Sequence, residues 1–165
     1  MQKIFFNTFD EKIDLGDTQM NYFRRLKDCR EDRDLIQQQI ADYLEVSRGT
    51  YAMYECGSNI IPLRLLDKLS IKYQVSVDYL VNLSTDKGNK KKIKPMNCTI
   101  MCERLKTKRL ESKLSQEQVA NILEITQSHY ATYEKGRNII PITRLIKLSK
   151  LYKTSTDYLM GKIDK

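Results

Sequence analysis

Residues 22–83 of this 165-residue chain are written a second time, without a gap, as residues 101–162, at a fixed offset of 79 positions. Both copies begin Arg-Leu-Lys (Arg25-Leu26-Lys27 and Arg104-Leu105-Lys106). Both continue through Q-x-Q-x-A-x-x-L-E and Y-A-x-Y-E-x-G-x-N-I-I-P, and both close on S-x-D-Y-L. A period this long, repeated only twice, does not describe a solenoid, in which many short units share one continuous core. It describes two small domains, each with its own core. The division is an extension at 1–19, a first domain at 20–83, a linker at 84–98 and a second domain at 99–165.

Each copy reads as five short helices. In the second, Met101 and Leu105 begin an apolar stripe, and Ser115-Gln116-Glu117-Gln118 is a capping-box start for the next helix. Glu124-Ile125-Thr126 makes a three-residue turn whose Thr126 can cap a third helix, from Gln127 to Glu134, with Gly136 as its stop. Tyr130 and Tyr133 face inward on it by their spacing. Pro141 suits the first turn of a fourth helix carrying Leu145, Leu148 and Tyr152, and Ser155 opens a fifth with Tyr158 and Leu159. Alternating strand patterns and Gly-containing hairpin turns are absent, so the fold class is all-α.

Two helices joined by a three-residue turn, the second starting on a small hydroxyl residue, form the helix-turn-helix arrangement that points a helix N-terminus at DNA. With the Q-x-x-x-A-x-x-L helix, the Ser/Thr-capped helix after it, Y-E-x-G, the following Pro and S-x-D-Y-L, each copy resembles, over about 62 residues, the Cro and phage-repressor (xenobiotic-response-element) type of helix-turn-helix domain. The resemblance implies two tandem five-helix domains of the lambda-repressor-like type.

It also implies which residues meet DNA. In the second copy Gln127, Ser128 and Thr132 would face base edges in the major groove, where a Gln amide can pair with adenine through two hydrogen bonds. Thr126, His129, Ser115, Gln116, Lys135, Arg137 and Asn138 would meet phosphates, Gln116 also bracing the recognition helix, with the helix dipole favouring the anion at Thr126. In the first copy Arg48, Gly49 and Met53 take the base-reading positions, Arg48 as a guanine reader, and Gln37, Ser47 and Thr50 the phosphate positions. Ile36, Cys56 and Ser58 stand where the second copy has Ser115, Lys135 and Arg137, so the first copy either reads DNA more weakly or is diverted to protein contacts. Arg30 with Glu55, and Arg109 with Glu134, match a structural ion pair between the first and third helices of similar repressors. Such domains usually carry Gly in the turn where this chain has Glu45 and Glu124; if that position is left-handed, the side chain costs roughly 1 kcal/mol or more.

The net charge of +8 is unevenly spread. Residues 1–19 hold two basic and four acidic residues, 20–83 nine of each, 84–98 five and one, and 99–165 thirteen and seven. The positive field sits on the linker and second copy, as suits a chain meeting a polyanion with its C-terminal half, although such a charge also serves plain solubility. The linker, with Lys90-Lys91-Lys92, should be extended and solvated; stretched it spans at most roughly 50 Å and as a coil about 20 Å, against half-sites about 34–36 Å apart.

Cys29, Cys56, Cys98 and Cys102 do not recur at matching positions, which argues for reduced thiols and against disulfides or a repeated metal site. No run of about 18 apolar residues suggests a membrane span, and no signal sequence is evident, so a cytoplasmic protein is expected. No nucleotide-binding glycine motif or shared acid pair points to an enzyme, and no cofactor or metal is expected. The reading is a DNA-binding transcriptional regulator, a repressor of two unequal half-sites, with double-stranded DNA as partner. A homodimer stays open, as does a protein partner for the first copy. The alternative is an antitoxin-like or adaptor interaction module.

Overall fold

The computed structural model of the protein describes residues 23–88 and 93–164. The extension at 1–19, the run Lys90-Lys91-Lys92 and Lys165 lie outside the described residues. Among the described residues there are ten α-helices and no strand. The first repeat contains α1 (Arg24–Glu31), α2 (Gln37–Leu44), α3 (Arg48–Glu55), α4 (Leu63–Tyr73) and α5 (Val77–Leu80). The second contains α6 (Cys98–Glu111), α7 (Gln116–Ile122), α8 (Gln127–Glu134), α9 (Ile142–Leu151) and α10 (Thr156–Leu159).

Side-chain caps set most of these boundaries. Ser115 Oγ accepts the Gln118 amide at 3.1 Å, and Gln118 returns the bond by accepting the Ser115 amide at 2.8 Å, so two orphan donors of α7 are satisfied at once. In the first repeat Ile36 has no acceptor to offer, and only the return bond survives, from the Ile36 amide to Gln39 Oε1 at 2.9 Å. Ser47, Ser76, Asn97, Thr126 and Ser155 cap α3, α5, α6, α8 and α10. Pro141 is the residue just before α9 and so costs no helical hydrogen bond. The turns before α3 and α8 are left-handed, with φ of 60° at Glu45 and 56° at Glu124.

Each repeat closes around its own apolar centre. Leu26, Ile40, Leu44, Tyr51, Leu66 and Leu69 are buried in the first, and their counterparts Leu105, Val119, Leu123, Tyr130, Leu145 and Leu148 in the second. Each such aliphatic side chain contributes roughly 1.5–3 kcal/mol on leaving water. One arginine per repeat ties the first helix to the last. Arg104 donates to the carbonyls of Tyr158 and Ile163 and stacks 4.1 Å above the Tyr158 ring. Arg25 does the same with Tyr79 O, Ser84 O and the Tyr79 ring.

The two repeats also pack on each other, through α5 and α10. Asp157 accepts the amides of Val77 and Asp78 at 3.0 and 2.9 Å, and Asp78 accepts the Thr156 amide and hydroxyl at 2.9 and 2.6 Å. Val77 and Thr156 correspond under the 79-residue offset, as do Asp78 and Asp157. The Val77 and Thr156 amides therefore make the same contact in opposite directions, the pattern of a two-fold symmetric interface, while the Asp78 amide and the Thr156 hydroxyl each add a bond on one side alone. Ile142 and Thr143 of α9 close the edge of the first repeat's core beside Phe23, Leu66 and Val81.

The described ends of the linker are fastened to the repeats. Lys87 O accepts the Ser76 amide at 2.8 Å, Met96 N donates to Asp67 at 3.0 Å, and Asn97 N donates to Met160 O at 2.9 Å. The coil-like reach expected of residues 84–98 therefore does not set the spacing of the two repeats. Their direct packing does.

Candidate nucleic-acid interface

The second helix-turn-helix pair is built from the inside out. Arg109 of α6 is nearly buried and donates through Nε and Nη2 to Glu134 of α8 at 2.6 and 3.1 Å, while its Nη1 reaches Leu114 O at 3.0 Å. Gln116, the first residue of α7, adds a bond from its amide nitrogen to Glu134 Oε2 at 2.8 Å. A single carboxylate thus holds α6, α7 and α8 together. The first repeat repeats the lock with Arg30, Gln37 and Glu55 at 2.7, 3.2 and 2.9 Å. Burial pushes both carboxyls up, but the hydrogen bonds from arginine and glutamine outweigh it and hold Glu55 and Glu134 below the ordinary glutamate range. Gln37 and Gln116 thus each brace α3 or α8 with one N–H of the side-chain amide.

With its back fixed by this lock and by buried Tyr130 and Tyr133, α8 turns Gln127, Ser128 and His129 outward, and all three are exposed. Thr126 Oγ1 accepts the His129 amide at 3.3 Å and lies 3.2 Å from Ser128 Oγ. Thr132 is less available: its hydroxyl donates to His129 O at 2.6 Å and accepts from Asn138 at 3.2 Å. Asn138 is thus held against the outer turn of α8. Lys135, Arg137 and Ser115 are exposed around the same end of the unit.

The corresponding face of the first repeat has the same frame and a different surface. Ser47 Oγ accepts the Thr50 amide at 3.0 Å and lies 2.8 Å from Thr50 Oγ1. Arg48, Gly49 and Met53 are exposed, and Asn59 approaches Met53 Sδ at 3.6 Å where Asn138 meets Thr132. Cys56 and Ser58 contact each other at 3.0 Å, so no cation stands where the second repeat has Lys135 and Arg137. Ile36, 62 % exposed, adds apolar surface at the start of α2.

The second repeat's face also carries a relay that residue types alone do not announce. Tyr133 Oη sits 3.1 Å from His129 Nε2 and accepts from Arg144 at 2.9 Å, so a chain of three side chains runs from α9 to the exposed His129. The first repeat has Leu65 and Thr50 at the positions of Arg144 and His129 and cannot form it. That paired departure between the copies was the only sequence signal for it.

Comparison with known proteins agrees with this geometry. The family model described as Helix-turn-helix, HTH_3, matches residues 26–80 and again residues 105–159. Three relatives come from Bacillus subtilis strain 168. An uncharacterized HTH-type transcriptional regulator, YobD, is 38 % identical over 63 residues, 38 % of this chain and 56 % of the relative. An SPbeta prophage-derived uncharacterized HTH-type transcriptional regulator, YonR, is 42 % identical over 57 residues, covering 34 % and 53 %. The HTH-type transcriptional regulator ImmR is 38 % identical over 60 residues, covering 36 % and 47 %. The chain thus spans about half the length of these curated relatives. No solved structure matches it at a significant level. Matched over more than half its length, and twice, the chain belongs to the HTH_3 helix-turn-helix family.

Proposed function

We propose that the protein is a sequence-specific double-stranded-DNA-binding transcriptional regulator that represses by occluding a promoter, its two repeats reading two unequal half-sites through the major groove. The observation that carries this reading is the exposure of Gln127 and Ser128 on the first turn of a helix whose opposite side is locked by Arg109, Gln116 and Glu134. A rigidly held helix start with free polar tips is what base reading requires, since a misplaced amide cannot pair with a base edge. In this reading Gln127 and Ser128 meet bases. The hydroxyl of Thr126 and the cations Lys135 and Arg137 meet phosphates, with Ser115 and His129 beside them. Gln116 and Asn138 act mainly as braces, and Thr132 presents its methyl group to the groove.

Arg48 gives the first repeat a different preference, and the docked repeats fix the spacing of the two boxes. The relatives' names, all HTH-type transcriptional regulators, support the regulator class. A second reading, in which the first repeat binds a protein, is favoured by the exposed Ile36 and Met53 and by the replacement of Lys135 and Arg137 by Cys56 and Ser58.

The test is fluorescence anisotropy of the intact chain with labelled duplexes across a salt series. The regulator reading expects affinity to fall steeply with salt, with a logarithmic slope of about −0.9 for each phosphate neutralised, and Gln127→Ala to weaken the preferred site by about 1–3 kcal/mol. Salt-insensitive binding, or indifference to Gln127→Ala, would contradict it.

A further inference from the structure

Symmetric pairing of two repeats presents every contact twice, once in each direction, and α5 with α10 obey this through Asp78 and Asp157. A buried ion pair breaks the rule. Lys162, 1 % exposed, donates from Nζ to Asp67, and also to Ser70 Oγ at 2.9 Å. Asp67, 6 % exposed, uses its other oxygen to accept the Met96 amide at 3.0 Å. Under the 79-residue offset Lys162 corresponds to Leu83 and Asp67 to Ile146, so the mirror of this ion pair is a pair of aliphatic positions. Ile146 is fully buried and Leu83 packs against the core. The serines record the same asymmetry: Ser70 receives the ammonium, whereas its counterpart Ser149 donates back to Ile146 O at 2.9 Å. The backbone around the two positions is alike, since Leu83 N and Lys162 N donate to Asp78 O and Asp157 O at 2.8 and 3.0 Å.

We propose that the buried Lys162–Asp67–Ser70 cluster is a pairing determinant, which makes each repeat accept the other repeat and reject a second copy of itself. The reciprocal caps cannot make that choice. Two second repeats would satisfy them with Asp157 on Thr156 in both directions, and two first repeats with Asp78 on Val77. Position 162 can. Two second repeats would set Lys162 against Ile146 twice, burying two ammonium groups without a carboxylate. Two first repeats would set Leu83 against Asp67 twice, burying two carboxylates without a cation. An unpaired buried charge costs far more than the paired one it replaces. Only first with second leaves one ion pair on one side and one aliphatic pair on the other. The caps supply attachment, and the ion pair supplies identity, as a single polar group does in fixing the partners of coiled coils. The chain thereby carries a self-matched pair of repeats, and pairing of like repeats through this face, within or between chains, is excluded. None of this depends on what α3 and α8 contact.

The test starts from the full-length chain with a site-specific protease site placed between Lys90 and Lys91 and cut after folding, so that only the interface holds the halves together. Native mass spectrometry at micromolar concentration should find one species, a first half with a second half. Like-with-like pairs in the nicked wild type, or halves that separate entirely, would overturn the proposal. Asp67→Ile and Lys162→Leu each import the residue the sister repeat carries. In the uncut chain each alone should lower the melting temperature, and the double substitution should lower it by less than the sum of the two. In the nicked double variant, like-with-like pairs should appear beside the mixed pair. Additive melting shifts, or a nicked double variant that still forms only mixed pairs, would show that the ion pair does not choose the partner. The nicked wild type needs no substitution, so the test stands even where a variant fails to fold.

Discussion

Asp157 caps the helix that carries Asp78, and Asp78 caps the helix that carries Asp157. Two identical sequence positions thus face each other across the boundary between the repeats at the starts of helices of only four residues, Asp157 taking up two amides and Asp78 one amide and a hydroxyl. Helices this short have little stability of their own. Their hold on each other is therefore part of what keeps both in place.

This arrangement has a pH signature. Burial is the main reason the Asp157 carboxyl is pushed up to about 6, and the nearby Asp78 adds to it, against the opposing pull of the two amides and Lys162. The folded chain then binds more protons than the unfolded one between an ordinary aspartate value of 3.8 and about 6. Asp157's contribution to stability is fully present below the unfolded value and is lost as pH rises through about 6. Relative to Asp157→Asn, the wild type should gain up to about 3 kcal/mol as pH falls from 7 to 4. Urea denaturation of both proteins across that range checks it. Parallel stability curves would contradict it.

The Arg109–Glu134 lock predicts the opposite slope. Glu134 and Glu55 are held below the ordinary value of 4.5, so their contribution is present above it and is lost as pH falls through the lowered folded value. At neutral pH, Glu134→Gln should cost about 3–5 kcal/mol, because Arg109 is left buried without its charge partner. Replacing both, Arg109→Met with Glu134→Leu, should recover most of that loss. Urea denaturation of the three proteins at pH 7 separates the outcomes, and a loss under about 1 kcal/mol for Glu134→Gln would show an exposed and weak pair.

Glu124 occupies a left-handed position, with φ of 56°, where a side chain is strained. Its ion pair to Lys147 at 3.6 Å leaves the carboxylate 82 % exposed and so adds little. Glu124→Gly should raise stability by about 0.5–1 kcal/mol. It should also tighten DNA binding by removing a negative charge next to α8. Thermal melting and anisotropy check the two effects, and a less stable variant would contradict the first.

Much of the fold could be read from the repeat itself, because helix starts are written in single residues. Ser115, Thr126 and Ser155 each marked a boundary that the structure keeps. The inward tyrosines were equally plain, since spacing of three or four on a short helix fixes which side faces the core. Two things were not readable. The resemblance gave Gln116 a bracing role beside a phosphate one, but not that its partner, like that of Gln37, is the arginine-paired glutamate 18 residues away. The packing of one repeat on the other was hidden because Asp78 and Asp157 also fit as ordinary helix-start acids. The departures between copies at 67/146 and 83/162 were visible, but without a structure nothing placed those positions together.

The surface of α3 predicts a designed change of specificity. Gly49 has room for a side chain: a Cβ added there would have Ser47 Oγ as its nearest neighbour, at 3.9 Å. Arg48→Gln with Gly49→Ser and Met53→Thr should therefore fold, and should shift the first box toward the sequence preferred by α8. Competition between duplexes carrying unlike and matched boxes reads the shift; an unchanged preference would mean that α3 does not read bases.

The most direct test of the central claim is selection of bound duplexes from a random library by the intact chain, followed by sequencing. Two different boxes at one fixed spacing are predicted, one lost with Gln127→Ala and the other with Arg48→Ala. A single box indifferent to Arg48→Ala, or no enriched sequence at moderate salt, would contradict the account of a tandem reader of unequal half-sites.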